Sequence, residues 1–559
     1  MTLRYSATVQ FLPILLFLFT PVLNLHAQNT GSFTRADSLR GSITPERAWW
    51  DVTHYDLHLS INPADSTISG VNHITYRVTG EPTRMQIDLQ VPLAIDRVEQ
   101  SGEEYNFERD GNIYYIDLPE ELPAGSLQTI SVFYSGHPRI APNPPWDGGF
   151  IWAEDGLGNP WIATANQGLG ASVWWPNKDH QTEEPDSMTV HVTVPDPLIN
   201  VSNGRLTDQK SNEDGTTTWS WHVTNPINNY NIAVNTGSYA HFGETFNGEQ
   251  GPLDLDYWVL EQNLEKAQEQ FKQVKPMLQC FEEWFGPYPF YEDSFKIVET
   301  PHLGMEHQSA VAYGNGYVNG YRGNDLSGSG WGLKFDFILI HETGHEWFGN
   351  NITTEDLADM WIHEGFTNYS EGLYVECMFG KKAGREYIIG TRQGIQNRQP
   401  IIARYGVNDQ GSGDMYPKGG NLLHMVRQIM DHDEKWRQTL RELNETYRHG
   451  IVTSAKVEAF LNGRAGYDLS PVFDQYLRHT DIPVLEYYLD DENLFVKWST
   501  DVSGFDMPVK VTLRENSYSF IHPEDDHWKS IPHNLADPSS FDIDENFYIR
   551  HREHSVPTR

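Results

Sequence analysis

The chain has 559 residues, 38% of them hydrophobic and 13% aromatic, with 46 Gly and 32 Pro. This is a globular composition, and the length exceeds what one hydrophobic core usually serves, so more than one domain is expected. A formal net charge of −37 excludes nucleic acid as a partner, because phosphate binding needs clustered Lys and Arg. The acidity serves solubility and weakly favours cationic ligands, such as peptides with a free amino end.

Residues 1–27 read as a secretory signal. Arg4 gives a positive start, Phe11 to Phe19 is an apolar run, and Leu25-His26-Ala27 suits cleavage. The run is too short to span a bilayer and is broken by Pro13 and Pro21, so no stable membrane insertion is expected after cleavage. The alternative is an uncleaved anchor. Secretion or a periplasmic location follows from the first reading. Residues 29–45 are polar and read as a loose lead-in.

Strand patterns come next. Tyr55, Leu57, Leu59 and Ile61 alternate with His54, Asp56, His58 and Ser60. Ile74, Tyr76 and Val78 alternate with Thr75 and Arg77, and Val190, Val192 and Val194 with His191 and Thr193. Period two between turn residues predicts an antiparallel, half-buried sheet. The histidines fall on the polar phase and read as surface residues rather than ligands.

Near residue 260 the period changes. Leu264, Ala267, Phe271, Val274, Leu278 and Phe281 recur at three and four, a helix face that Pro276 should kink or divide. Phe285-Gly286-Pro287 should stop it. Cys280 and Cys377 are the only cysteines; both fall in apolar helical contexts, and two thiols or one bridge fit equally. Helical patterns continue through Leu422 to Val426, Trp436 to Leu443, and Val472 to Leu477. After Ile482-Pro483 strands return at Leu494 to Trp498, Val509 to Leu513 and Phe541 to Ile549, enough for a small β-sandwich.

The chemistry-bearing stretch is His341-Glu342-Thr343-Gly344-His345, followed by Trp361-Ile362-His363-Glu364-Gly365. Two histidines four apart lie on one helix face and can hold one metal ion. Eighteen residues separate His345 from Glu364, room for a second helix to return a carboxylate as third ligand. Two imidazoles, one carboxylate and an open fourth position describe a catalytic rather than a structural zinc site, with one ion per chain. Glu342 sits where a metal-bound water would be and reads as general base rather than ligand. Gly349-Asn350 should cap the first helix. His363 points off the ligand face. Glu371, two turns beyond Glu364 on the same face, is a candidate partner for a ligand histidine.

These motifs resemble the aminopeptidase N family of zinc metallo-aminopeptidases, peptidase family M1, a gluzincin family. The metal motif matches at His341, His345 and Glu364. The family's upstream Gly-x-Met-Glu-Asn matches Gly304-Met305-Glu306-His307, and its Tyr-x-Lys-Gly matches Tyr416-Pro417-Lys418-Gly419. A Gln nine residues before a Pro matches at Gln167 and Pro176. The resemblance runs from about Trp50 to Asp481. It implies an α+β multidomain fold: an N-terminal antiparallel β-sheet domain over 46–250 and a thermolysin-like, mainly helical catalytic domain over 251–482, to which the strand patterns after Pro483 add a C-terminal β-sandwich-like domain over 483–559. The long helical C-terminal domain of larger relatives does not follow, which implies a more open cleft.

The resemblance also assigns roles. Glu306 and Gln167 would hold the substrate's α-ammonium, Gly304 would let the backbone approach substrate, and Met305 would floor the first side-chain pocket. Tyr416 would donate to the tetrahedral oxyanion. The implied activity is removal of the amino-terminal residue from peptides by metal-activated water. Leu303 and His307 depart from the family pattern, and His307 could crowd the amine site or change its pH response. The alternatives are a thermolysin-like endopeptidase, which needs no Glu306, and a non-catalytic peptide-binding relative, which would be expected to have lost a ligand or Glu342.

Overall fold

The computed structural model describes residues 33–118 and 122–556; the signal-like segment lies outside them. The lead-in is more ordered than its composition suggests. Thr34 and Asp37 form a reciprocal capping box that starts the helix Arg35–Gly41. Arg47, fully buried, then pairs with Asp88 at 2.7 Å and ties the segment to the sheets that follow.

The first large element is an eight-stranded sheet. Its order is Arg205–Ser211, Thr216–Val223, Ser187–Pro195, Trp50–Asn62, Thr67–Val78, Leu127–Gly136, Ala94–Gln100 and Glu103–Glu104. Tyr55, Leu57, Leu59 and Ile61 are buried on one face together with Val190, Val192 and Val194, as the alternation predicts. The sheet is not wholly antiparallel: Trp50–Asn62 pairs parallel with Ser187–Pro195. More than a hundred residues separate these two strands, so no tight turn dictates their direction. A four-stranded sheet that includes Gly149–Glu154 and Pro160–Ala165 leads to Gln167.

The helical region opens with a five-stranded sheet: Tyr239–Gly248, Gly251–Leu260, Phe295–Glu299, Val311–Tyr313 and Gly304–Met305. The expected helix near 264 is divided into Leu264–Gln270, a tight turn at Phe271–Gln273, and Val274–Phe285. The break surrounds Lys272, the residue whose carbonyl the Pro276 ring would meet in a continuous helix. Gly286, at φ 92°, ends the last segment. Cys280 and Cys377 form a disulfide, with Cα atoms 6.1 Å apart, which fastens this helix to the long helix Trp361–Phe379.

Beyond Ile482, where a small β-sandwich is expected, the strands form a four-stranded sheet and a two-stranded one. Their core residues, among them Leu494, Trp498, Val509 and Val511, are continuous with the core of the helices. The segment Phe541 to Ile549 is not a strand. Asp544 accepts from the Asn546 backbone at 3.0 Å and turns the chain there, and the strand comes later, at Arg550–Glu553.

Candidate metal centre

The helix Phe337–Gly344 carries His341 and Glu342, with His345 at its end. Asp336 starts it, accepting from the Leu339 backbone at 3.3 Å. Tyr313, Gln270 and Asn315 donate to the same carboxylate and fix the cap. The helix body ends at Gly344, earlier than Gly349-Asn350, but the Asn350 N–H reaches back to the His345 carbonyl at 3.0 Å and closes that end. A Cβ on Gly344 would stand 2.6 Å from Ser370 Oγ. The small residue therefore lets the long helix Trp361–Phe379 pack close, which brings Glu364 to the histidines.

Glu364 Oε2 lies 3.6 Å from His341 Nε2 and 3.3 Å from His345 Nε2. All three residues are buried, and their ligand atoms fall within 4.8 Å of one another. A tetrahedral zinc with bonds of about 2.0–2.2 Å sets ligand atoms roughly 3.3–3.6 Å apart. Glu364 Oε2 is buried without a hydrogen-bond partner among the described residues, a state that is costly unless a cation is nearby. Glu306 and Glu342 crowd the same buried space, where one ligand atom each of Glu306, Glu342 and His345 also lie within 4.8 Å. The donor set fits a zinc ion in spacing, chemistry and charge.

The far nitrogens of both histidines are fixed. His341 Nδ1 is 2.7 Å from Glu371 Oε1, and Tyr387 donates to Glu371 Oε2 at 2.6 Å. His345 Nδ1 lies 3.0 Å from the Phe348 carbonyl. Each arrangement directs Nε2 at the shared centre. Burial alone would lower the His341 pKa, but Glu364 and Glu371 beside it raise it well above its ordinary value. Burial pushes the Glu342 carboxyl up to about 7, with His341 and His345 opposing. His363 faces elsewhere and accepts from the Thr354 backbone at 3.0 Å.

Glu306 follows the strand Gly304–Met305. Gln167 donates to its Oε1 at 2.5 Å and Tyr230 at 3.2 Å, and Gln167 also reaches Glu364 Oε1 at 3.2 Å. The Asn350 side chain donates to the Glu306 carbonyl at 2.9 Å, and the Glu346 carboxylate accepts from the Ser309 backbone at 2.8 Å. Both tie this loop to the end of the metal helix. Gly304 packs against Glu342 itself: a Cβ there would stand 2.9 Å from Glu342 Oε1 and 2.6 Å from Ile338 Cγ2. Met305 is buried with Ile151, Ala163, Ala165, Tyr230 and Ala312. His307 is fully buried beside His302, ring centroids 6.4 Å apart. Burial, reinforced by His302, pushes its pKa down to about 3, so it is a neutral ring at working pH and brings no charge to Glu306. Leu303 is core.

Tyr416 stacks on His341 with ring centroids 5.9 Å apart, immediately before the helix Pro417–Met430. Burial raises its pKa, and the Glu364 and Glu306 carboxylates add to this, so its hydroxyl keeps its proton. Tyr416 is placed by glycines. A Cβ on Gly419 would stand 2.9 Å from the Gly365 Cα, and one on Gly365 would stand 3.1 Å from the Gly419 Cα. The two helices touch backbone to backbone next to Glu364. Lys418 points away, donating to the His479 carbonyl at 3.0 Å.

Sequence reasoning missed Tyr230 and Tyr387, and it named Asn350 only as a cap, not as a partner of the Glu306 loop. Tyr230 lies on a short turn, Asn229–Asn231, whose local pattern carries no signal. The spacing of Tyr387 from Glu371, sixteen residues, crosses a helix junction.

Two family models match the chain. "Peptidase M1 N-terminal domain" matches residues 52–230 and "Peptidase family M1 domain" residues 269–476, together more than half of it. The chain is 23% identical over 472 residues to aminopeptidase N of Lactococcus lactis subsp. lactis, covering 79% of this chain and 52% of that protein. It is 20% identical over 468 residues to human glutamyl aminopeptidase, covering 77% and 47%. It thus spans about half the length of these curated relatives. Among solved structures, a mutant M1 zinc metallopeptidase of Deinococcus radiodurans bound to a Tyr-Ser-Ala substrate matches with TM-score 0.67 at 20% identity, covering 78% of this chain and 96% of that one. A second mutant structure, a two-domain M1 zinc metallopeptidase bound to L-arginine, matches with TM-score 0.64 at 20% identity, covering 77% and 94%.

Proposed function

The chain belongs to peptidase family M1, and from that premise we propose that it is a zinc-dependent aminopeptidase that removes the amino-terminal residue from peptides. The observation that carries this is the Glu306 carboxylate, backed by Gln167 and Tyr230, within 4.8 Å of the Glu342 and His345 donor atoms. An α-ammonium paired with Glu306 and Gln167 sets its first carbonyl beside the metal ligands. One further residue would add about 3.3–3.6 Å of chain, more than this spacing accepts. The anchor therefore selects the first peptide bond, and a charge-assisted pair in this buried setting is far stronger than a surface one.

His341, His345 and Glu364 would hold the zinc. When bound, zinc polarises the scissile carbonyl and lowers the pKa of its water to about 7. Glu342 takes the proton from the attacking water and delivers it to the leaving amine. The protonated Tyr416 hydroxyl donates to the tetrahedral oxyanion; a donor of this kind typically contributes about 10²–10³ in rate. Glu371 holds the His341 ring in the tautomer that presents Nε2. Met305 would floor the first side-chain pocket.

The test is a panel of aminoacyl chromogenic amides with and without chelator, beside the same peptides with acetylated amino ends. Chelator-sensitive cleavage of free-amine substrates alone is expected. Equal cleavage of acetylated peptides would establish an endopeptidase instead, and tight peptide binding without turnover in zinc-loaded protein a non-catalytic relative. Export to a secreted or periplasmic location is supported by the apolar run before Ala27 and by the Cys280–Cys377 bridge, which suits an oxidising compartment. Sequencing the mature amino end should give Gln28; a mature chain that begins at Met1 would rule this out.

A further inference from the structure

The outer face of the eight-stranded sheet carries a histidine cluster remote in sequence from the peptidase motifs. On Trp50–Asn62, His54, Asp56 and His58 share the outward phase. Strand pairing sets His191 directly beside His58, and His73 directly beside Asp56. Asp56 Oδ1 consequently stands 3.2 Å from His58 Nε2 and 3.2 Å from His191 Nε2. The two imidazoles are stacked, centroids 4.3 Å apart at 18°. One ligand atom from each of the three residues lies within 4.8 Å of the other two.

Three features distinguish this from a casual surface ion pair. First, Asp56 Oδ1 is shielded from solvent and, among the described residues, accepts no well-directed hydrogen bond, although two imidazole nitrogens converge on it. Second, the His191 ring is already held: its Nδ1 is 2.7 Å from Ser220 Oγ, which turns Nε2 toward Asp56 as the outer partner of a metal-bound histidine does. Third, the spacing is close to the edge of a zinc tetrahedron, roughly 3.3–3.6 Å for bonds of about 2.0–2.2 Å. His73, with Nδ1 held 2.8 Å from Ser131 Oγ, borders the cluster, its ring 5.6 Å from that of His58. The neighbouring His54 makes a contrast, since Ser187 and Thr189 hydroxyls stand at both its nitrogens. Two protonated rings stacked at this distance would repel, whereas two neutral rings and one carboxylate suit a divalent transition metal.

We propose that Asp56, His58 and His191 form a second divalent-metal site of the zinc class, which clasps Trp50–Asn62 to its parallel neighbour Ser187–Pro195. Its remaining position faces solvent, where His58 and Asp56 are 46% and 38% exposed. The site does not depend on the peptidase reading.

The test uses the full chain, stripped with chelator and titrated with zinc ions alone, with bound metal counted by equilibrium dialysis. In a His345→Ala background, which disables the interior site, one tight equivalent should remain. Adding His58→Ala and His191→Ala should remove it. Asp56→Asn, which preserves the shape of the cluster, should raise the Kd of that equivalent at least tenfold while far-UV circular dichroism stays unchanged. The proposal is overturned if the His345→Ala chain binds no tight zinc, or if the cluster substitutions leave the bound count and Kd as they were.

Discussion

Gly304→Ala tests how the carboxylate of Glu342, the proposed general base, is placed. The added methyl would lie 2.6 Å from Ile338 Cγ2, 2.9 Å from Glu342 Oε1 and 3.1 Å from Glu342 Cγ. Unstrained carbon contacts are about 3.5–4.0 Å, so the methyl needs roughly 1 Å of room. Ile338 cannot supply it, because it is 2% exposed and its branched side chain is stiff at χ1. Residue 304 must therefore shift away from Ile338 and toward Glu342, which has to turn from its position. Overpacking of this kind costs about 1–3 kcal/mol of stability. Displacing a reacting group by about 1 Å costs on the order of 10²-fold in rate, near 2.7 kcal/mol. Steady-state hydrolysis of an aminoacyl p-nitroanilide should show kcat reduced about 10- to 100-fold. Zinc content should be unchanged, because the atoms nearest the added methyl belong to Ile338 and Glu342 and not to His341, His345 or Glu364. A folded, zinc-loaded variant with kcat within about twofold of wild type would refute the reasoning, and so would a variant that had lost its zinc.

Glu371→Gln should weaken zinc binding about 10- to 100-fold, since it holds the His341 ring; competition with a chelating dye measures this, and an unchanged affinity would remove Glu371 from the site. Glu306→Ala should cripple turnover of free-amine substrates while zinc affinity stays within a few fold, and wild-type kinetics would mean the amine is held elsewhere. Gly419→Ala, which forces a methyl to 2.9 Å from the Gly365 Cα, should lower stability by about 1–3 kcal/mol and depress kcat through Tyr416; a denaturant midpoint equal to wild type would show that the helices can part freely. Reducing the Cys280–Cys377 bridge, which spans 97 residues, should lower stability by about 2–4 kcal/mol. An unfolding midpoint indifferent to reductant would contradict that.

The chain's local patterns determined a good deal. Four-residue spacing put His341 and His345 on one helix face, and period-two alternation separated Leu57 and Leu59 from His58. These are properties of a helix or strand taken alone, so they are legible without a fold. Glu364 was reached through its spacing from His345, and Glu306 and Tyr416 through motif resemblance, because no local period connects residues on different elements. What the sequence did not reveal arises where elements cross. Tyr230 reaches Glu306 across 76 positions. The Gly365–Gly419 contact that seats Tyr416 against His341 joins two helices whose separation no single pattern encodes. Alternation assigned the sheet histidines to the outward phase, and read singly they were surface residues. Only the parallel pairing of Trp50–Asn62 with Ser187–Pro195 set His191 beside His58 and Asp56, because side-chain phase is a property of one strand while register is a property of two.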